Sequence, residues 1–458
     1  MRNQASVEVT TEQLESWDRE YVWHPFTQMK DYVKEKPVII ENGEGVILRD
    51  IEGNEYIDGI SSMWCNIHGH RKKEIDDAIR EQLDKVAHTT LLGFSNVPAI
   101  ELAKRLIDIA PDGLAKVFYS DNGSTAMEVA IKMAFQYWQY KGYKNKTNYV
   151  ALQHGYHGDT VGAISVGGID IFHSVFKPLL FKTFFAPSPY CYRCPHGKYK
   201  TECMFECLKD LEGILSKNSD SIAAMVMEPL VQGAGGMIVH PEGYLSCAKE
   251  LCEKYNVLFV ADEIMVGFGR TGKMFACNHE NVTPDIMALS KGINGGYMPL
   301  AVTLTTDEIY NAFIGDYGEQ KTFFHGHTYT GHPLACAAAL ASLDIFEDEK
   351  VIEGLQPKIR LLKERLERFT NLNSVGDIRQ SGLVAGIELV RNKETKEPYA
   401  WEEKIGIKVC FEARQRGLIT RPLDNVIVIM PPLSINTSQL NRLMDIIYES
   451  IETVTEIN

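Results

Sequence analysis

Val257-Leu258-Phe259-Val260-Ala261-Asp262-Glu263 and, further on, Asp285-Ile286-Met287-Ala288-Leu289-Ser290-Lys291-Gly292 are the two stretches on which the fold turns. Each is an apolar run of strand length that ends on ionisable residues. An uninterrupted apolar run, rather than an alternating one, belongs to a strand covered on both faces, as in a parallel sheet. Outward from this pair the same texture recurs at 116–119, 149–152, 222–227 and 300–303. Amphipathic helical patterns separate these runs, one of them passing through Met127, Ala130, Met133 and Trp138. Strand and helix in alternation predict an α/β domain with a mainly parallel sheet.

Towards the N-terminus the pattern changes. Short apolar runs between Pro37 and Gly59, broken by Asn42-Gly43, Glu44-Gly45 and Glu52-Gly53-Asn54, predict a small antiparallel meander. Beyond Pro333 come an Ala-rich helix at 334–346, a charged helix at 351–369, and strands near 384–390 and 426–430. The expected organisation is a large domain over 61–335 and a smaller α+β domain built from both chain ends, 1–60 and 336–458.

Composition narrows the function. With 458 residues, 45% hydrophobic and 24% charged, the chain is of ordinary globular type and long enough for about two to three cores. A net charge of -14 with no basic stripe argues against a nucleic-acid partner. The first twenty residues have no apolar segment of the secretory kind, and no run of eighteen apolar residues follows. Ten irregularly spaced cysteines then read as reduced thiols, and the expected compartment is the cytoplasm. Cys191, Cys194, Cys203 and Cys207 form two close pairs of the kind that can ligate zinc, but the eight-residue gap is short for a zinc ribbon, and no metal is expected.

Four features fall at strand ends or helix starts, where open α/β sheets bind ligands. In Ser120-Asp121-Asn122-Gly123-Ser124, Gly123 and Ser124 open a helix whose free N–H groups can hold a phosphate; a plain capped helix is the other reading. In Gly155-Tyr156-His157-Gly158-Asp159, Tyr156 can lie flat on a planar ring. Asp262 can hold a pyridine nitrogen in its protonated form. Lys291, closing a buried strand, can be a depressed-pKa amine that forms a Schiff base with an aldehyde. Together they describe a pyridoxal 5'-phosphate site.

Ala261-Asp262-Glu263-Ile264, Gly267-Phe268-Gly269-Arg270-Thr271-Gly272 and Ser290-Lys291-Gly292 resemble the class III aminotransferases of fold type I over nearly the whole chain. The resemblance implies a covalent cofactor link at Lys291, the ring-nitrogen contact at Asp262 and the ring stack at Tyr156. It places cofactor contacts at Gly123, Ser124, His157 and Glu228. It further implies an obligate homodimer in which Thr328, within His325-Gly326-His327-Thr328, completes the partner's phosphate site.

Trp23-His24-Pro25-Phe26-Thr27-Gln28-Met29, Asp58-Gly59-Ile60-Ser61-Ser62-Met63-Trp64 and the stretch from Glu228 to Met237 are similar to the biotin-pathway branch of that class. In that branch an Arg, here Arg421 of Ile419-Thr420-Arg421-Pro422, grips the far carboxylate of a long keto substrate. The implied substrate set is Phe26, Met63, Trp64, Tyr156, Arg270, Gly326, Arg421 and Val428. Phe26, Met63 and Val428 stand where the S-adenosylmethionine-using pattern has Tyr, Trp and Tyr. With fewer π faces for a sulfonium, lysine is the expected amino donor and S-adenosylmethionine the alternative. An ω-amino-acid aminotransferase using pyruvate is the rival activity, and a non-catalytic binding protein on the same fold is the rival class.

Overall fold

The computed structural model describes residues 9–198 and 203–456. Its centre is a seven-stranded sheet in the order Leu114–Ser120, Ala301–Thr306, Ile286–Leu289, Leu258–Asp262, Ile222–Met227, Asn148–Leu152 and Thr183–Ala186. Six strands run one way. Ala301–Thr306 alone runs antiparallel to both of its neighbours. Every residue of Ile222–Met227 and of Leu258–Asp262 is buried, as their unbroken apolar texture requires.

At the ends where these strands start, Lys146 ties three chain segments together. Its ammonium donates to the carbonyls of Ser219 at 2.9 Å, Ile222 at 3.0 Å and Asn256 at 2.5 Å, and lies 4.3 Å from the Trp138 ring centroid. The opposite ends, where the strands finish, are left for ligand chemistry.

Both chain ends build the smaller sheets. The meander Ile40–Glu44, Ile47–Asp50 and Glu55–Asp58 gains a parallel partner in Leu418–Ile419, with Ile57 N–H donating to Gly417 O and Gly59 N–H to Ile419 O, each at 2.9 Å. A second sheet joins Val375–Ser381, Val384–Asn392, Val426–Ile429 and Pro422–Leu423. Its first strand has no apolar run to announce it, because Arg379 and Asp377 interrupt the pattern. Arg379 is nonetheless buried, donating to Glu388 Oε2 at 2.6 Å and to the carbonyls of Gly236 and Met237.

The largest apolar cluster ignores the expected boundary at residue 335. It runs from Leu102, Leu106, Met287 and Leu289 through Ala339 and Leu343 to Ile387, Val409, Ile427 and Leu443. One continuous interior therefore spans both sides of residue 335. Among the described residues no helix is long and apolar enough to cross a membrane.

Candidate active site

The finishing ends of the strands surround a cavity of about 500 Å³, walled among others by Trp64, Gly123, Ser124, Tyr156, Glu228, Asp262 and Lys291. Lys291 follows Ile286–Leu289 through Ser290, whose hydroxyl is tied to Leu300 O at 2.9 Å. The lysine backbone lies in the left-handed region, with φ 42°, a conformation uncommon outside glycine that turns the chain sharply off the sheet. Its amine is 5.3 Å from the Trp64 ring centroid. Burial pulls the amine below the ordinary lysine range, opposed by the negative charges of Asp262 and Glu228.

Asp262 ends its strand almost fully buried, with Oδ2 2.7 Å from His157 Nδ1 and Oδ1 accepting from Ile264 N at 3.1 Å. Burial opposes a charge on His157, but the hydrogen bond to Asp262 and its negative charge outweigh burial and raise the imidazole above its usual value. The pair is an acid held in one orientation by a buried ring. Glu228 is fixed just as firmly, accepting from Tyr156 N at 3.1 Å and from Gly233 N at 2.8 Å. Burial raises its carboxyl to about 7; His157 opposes that and Asp262 adds to it.

Gly123 and Ser124 form the first turn of the helix Gly123–Tyr140, and the capped-helix reading of this turn holds. Asn122 caps the helix by accepting from Thr125 N at 3.1 Å. The preceding N–H groups of Gly123 and Ser124 stand at the cavity wall, at the positive end of an eighteen-residue helix. Ser124 Oγ accepts from Asp159 N at 3.2 Å, which locks this turn to the Tyr156 loop. Gly158 makes that approach possible: its φ is 116°, and a Cβ there would sit 2.2 Å from Ser124 Oγ. Tyr156 donates to Asp159 Oδ2 at 2.7 Å, and its phenol is held well above the usual range by burial, that bond and the Asp159 charge.

An anion cup, a fixed carboxylate, a ring platform and a buried amine around one cavity fit a phosphorylated pyridine aldehyde. A sequence profile described as Aminotransferase class-III matches residues 29–451.

The chain belongs to the class-III aminotransferases.

It is a pyridoxal-phosphate-dependent transaminase. A relative from Geobacter sulfurreducens, named adenosylmethionine-8-amino-7-oxononanoate aminotransferase, is 56% identical over 97% of this chain and 98% of its own length. A relative of the same name from Staphylococcus aureus is 47% identical over 97% and 99%. The crystal structure of the enzyme of that name from Methanocaldococcus jannaschii superposes with a TM-score of 0.93 at 49% identity, covering 97% of this chain and all of that one. An omega transaminase from Pseudomonas jessenii, solved in complex with PMP, gives the same TM-score at 32% identity, covering 97% and 98%.

The sequence-derived substrate residues divide. Met63, Trp64 and Tyr156 line the cavity; Arg421 is not one of its wall residues, but its Nη1 lies 3.2 Å from Met63 Sδ. Phe26 stands farther out, its ring 5.4 Å from that of Phe172. Arg270 and Val428 serve the interior instead. Arg270 is 1% exposed and donates to Pro431 O at 2.7 Å, Leu383 O at 3.3 Å and Ser61 Oγ at 3.2 Å; it staples chain segments together instead of facing a substrate. Val428 is fully buried in the cluster that includes Trp64 and Met265, so it backs the wall without forming it. Gly326 and Thr328 lie in an exposed stretch outside the cavity of their own chain, where His327 Nε2 comes within 3.7 Å of Asp121 Oδ1.

Other wall residues were not singled out as site candidates by the sequence: Cys65, Ile264, Met265 and the segment from Tyr297 to Pro299. Ile264 packs so closely beneath Gly123 that a Cβ there would be 3.0 Å from it. Cys191, Cys194, Cys203 and Cys207 lie away from the cavity, and no disulfide joins them. Among the described residues no three His, Cys, Asp or Glu side chains gather as a metal site.

Proposed function

We propose that the chain transfers an amino group onto 8-amino-7-oxononanoate to give 7,8-diaminononanoate, a step of biotin biosynthesis. The observation that carries this reading is Arg421. Its guanidinium stands beside Met63 of the cavity wall and has no carboxylate within ion-pair distance among the described residues. An unpaired, half-buried Arg is a fork waiting for a carboxylate, and a long keto acid presents one far from its ketone. The names of relatives 47–56% identical support the same substrate. The omega transaminases among the solved structures, at 31–35% identity, support the rival less.

Bound pyridoxal phosphate supplies the electron sink that makes the substrate carbon acidic. Lys291 would hold the cofactor aldehyde through its amine and would move the proton at the reacting carbon. Asp262, oriented by His157, holds the ring nitrogen in its protonated form. Tyr156 supports the ring, and Gly123 with Ser124 receives the phosphate. Arg421 fixes the far end of the acceptor and excludes substrates that lack an acid there.

A second copy of the chain completes each site, Thr328 reaching the partner's phosphate. Support comes from exposed apolar side chains near that segment and elsewhere on the surface: Leu92, Phe94, Val97, Phe324 and Tyr329, each more than half exposed. The proposed compartment is the cytoplasm, supported by ten cysteines without a disulfide.

For the donor we infer lysine. Phe26 and Met63 leave Trp64 as the aromatic residue of the cavity wall on that side, and the aliphatic stem of lysine packs on such a surface without needing further π faces. Val428, buried behind Trp64, carries no weight in this choice. S-adenosylmethionine is the second reading, favoured by the relatives' names. The test is product analysis by mass spectrometry with 8-amino-7-oxononanoate and each donor in turn. Diamine formed with lysine supports the full reading, and diamine formed with S-adenosylmethionine alone corrects the donor. No diamine with either, alongside turnover of pyruvate, overturns the substrate.

A further inference from the structure

Phe172 is a ring that the motifs do not announce, and it lies on the approach to the cavity. Its centroid is 6.3 Å from that of Tyr156 at 85° and 5.4 Å from that of Phe26 at 68°, so three rings meet edge to face in one seam. Tyr156 belongs to the cavity wall, whereas Phe172 and Phe26 continue outward from it.

The seam is held from behind. Phe172 rides on the short helix Asp170–His173, whose approach is bonded to the Tyr156 loop: His154 N–H donates to Gly168 O at 2.9 Å, and Gly168 N–H to Gly155 O at 2.8 Å. Both glycines before this helix are sterically required. A Cβ on Gly168 would meet Leu152 O at 2.4 Å, and one on Gly167 would meet the buried His173 ring at 2.3 Å. Phe26 is held by a left-handed backbone with φ 51°. A half-buried aromatic fixed by this much backbone is preorganised.

Arg421, whose Nη1 lies 3.2 Å from Sδ of the wall residue Met63, is also a neighbour of Tyr156. A carboxylate bound at Arg421 and a reacting carbon at Lys291 leave the intervening methylenes beside Tyr156 and the seam. We propose that Phe172 is a specificity-determining residue that holds the aliphatic chain of the carboxylate-bearing substrate. The inference rests on the carboxylate reading of Arg421 and adds a preference for chain length, which Arg421 alone does not supply.

The test is calorimetric binding of straight-chain saturated acids, butanoate to nonanoate, to the pyridoxal-phosphate holoenzyme. Wild type is expected to bind roughly three- to fourfold more tightly per added methylene. Phe172→Ala weakens nonanoate at least tenfold and leaves butanoate within twofold, with unchanged cofactor absorbance and an unchanged donor half-reaction. Phe172→Leu, which keeps apolar bulk, recovers most of the loss. Arg421→Ala weakens every acid alike. A Phe172→Ala enzyme with the full wild-type slope, or one that weakens butanoate as much as nonanoate, overturns the role of Phe172 alone. Wild type that binds none of the acids overturns the carboxylate reading and this inference with it.

Discussion

Arg421 and Lys291 show how burial sets what a single cation does. Arg421 keeps its charge with no acid beside it, so replacing it by Ala removes a charge-assisted fork of about 1.5–3 kcal/mol. Keto-acid affinity is then expected to fall roughly 10- to 150-fold, with the donor half-reaction little changed; single-turnover kinetics of the two halves check this. Equal damage to both would make Arg421 structural. Lys291, lowered by burial, loses its proton below the ordinary 10.5. Cofactor capture by apoenzyme therefore accelerates as pH rises, with its half-point below that value, and the absorbance of the bound cofactor measures it. Glu228 works the other way. Its folded value of about 7 lies above 4.5, so its contribution to stability is full below 4.5 and is lost as pH rises through about 7. Thermal melts of apoenzyme from pH 5.5 to 8 are expected to decline less in Glu228→Gln than in wild type. Part of the decline remains, because buried Glu263 is raised to about 7 as well.

At the scale of elements, what was readable in the chain was every place where residue type changes abruptly. Lys291 and Asp262 end apolar strands, and Gly155 and Gly158 bracket Tyr156; such contrasts are visible one residue at a time. Arg270 and Val428 were misleading for the opposite reason. A charged residue in a glycine-rich loop reads as a ligand contact until its three internal acceptors are seen, and a strand with every residue buried has no alternation to tell which side faces a ligand. Phe172 was silent because its neighbours, Phe26 and Tyr156, reach it only through folding. The Gly123 turn and the Tyr156 loop interlock through Gly158. Gly158→Ala is expected to strain that join by about 1–3 kcal/mol, read as roughly a five- to 150-fold loss of cofactor affinity in equilibrium titration. Gly213, inside the helix Glu206–Asn218 with open space around it, is the control. Its replacement by Ala leaves cofactor affinity unchanged and adds about 0.5–1 kcal/mol of stability through helix propensity, read as a slightly higher melting temperature.

For the whole molecule, the alternation of strand and helix was enough to place the sheet, while the shared interior was not legible, since it depends on which distant faces meet. The proposed exchange of Thr328 between copies has a direct test. Mixing Lys291→Ala with a Thr328 variant that cannot retain cofactor gives heterodimers in which one site carries both lesions and the other neither. Activity recovered in the mixture supports the exchange; none, with heterodimers shown by mass spectrometry, removes it.

The parallel pairing of Glu55–Asp58 with Leu418–Ile419 also has a consequence for synthesis. Ile57 emerges from the ribosome about 360 residues before Leu418, its partner in that pairing. At ordinary elongation rates this is on the order of 20 to 70 s. For all that time Glu55–Asp58 lacks its parallel partner, and the backbone donors and acceptors of that edge have nothing of the final sheet to pair with. A strand made late closes the first sheet to be made, so a nascent chain truncated before Gly417 leaves that edge open. The same closure brings Arg421, two residues beyond Ile419, beside Met63 of a cavity whose walls were translated long before it.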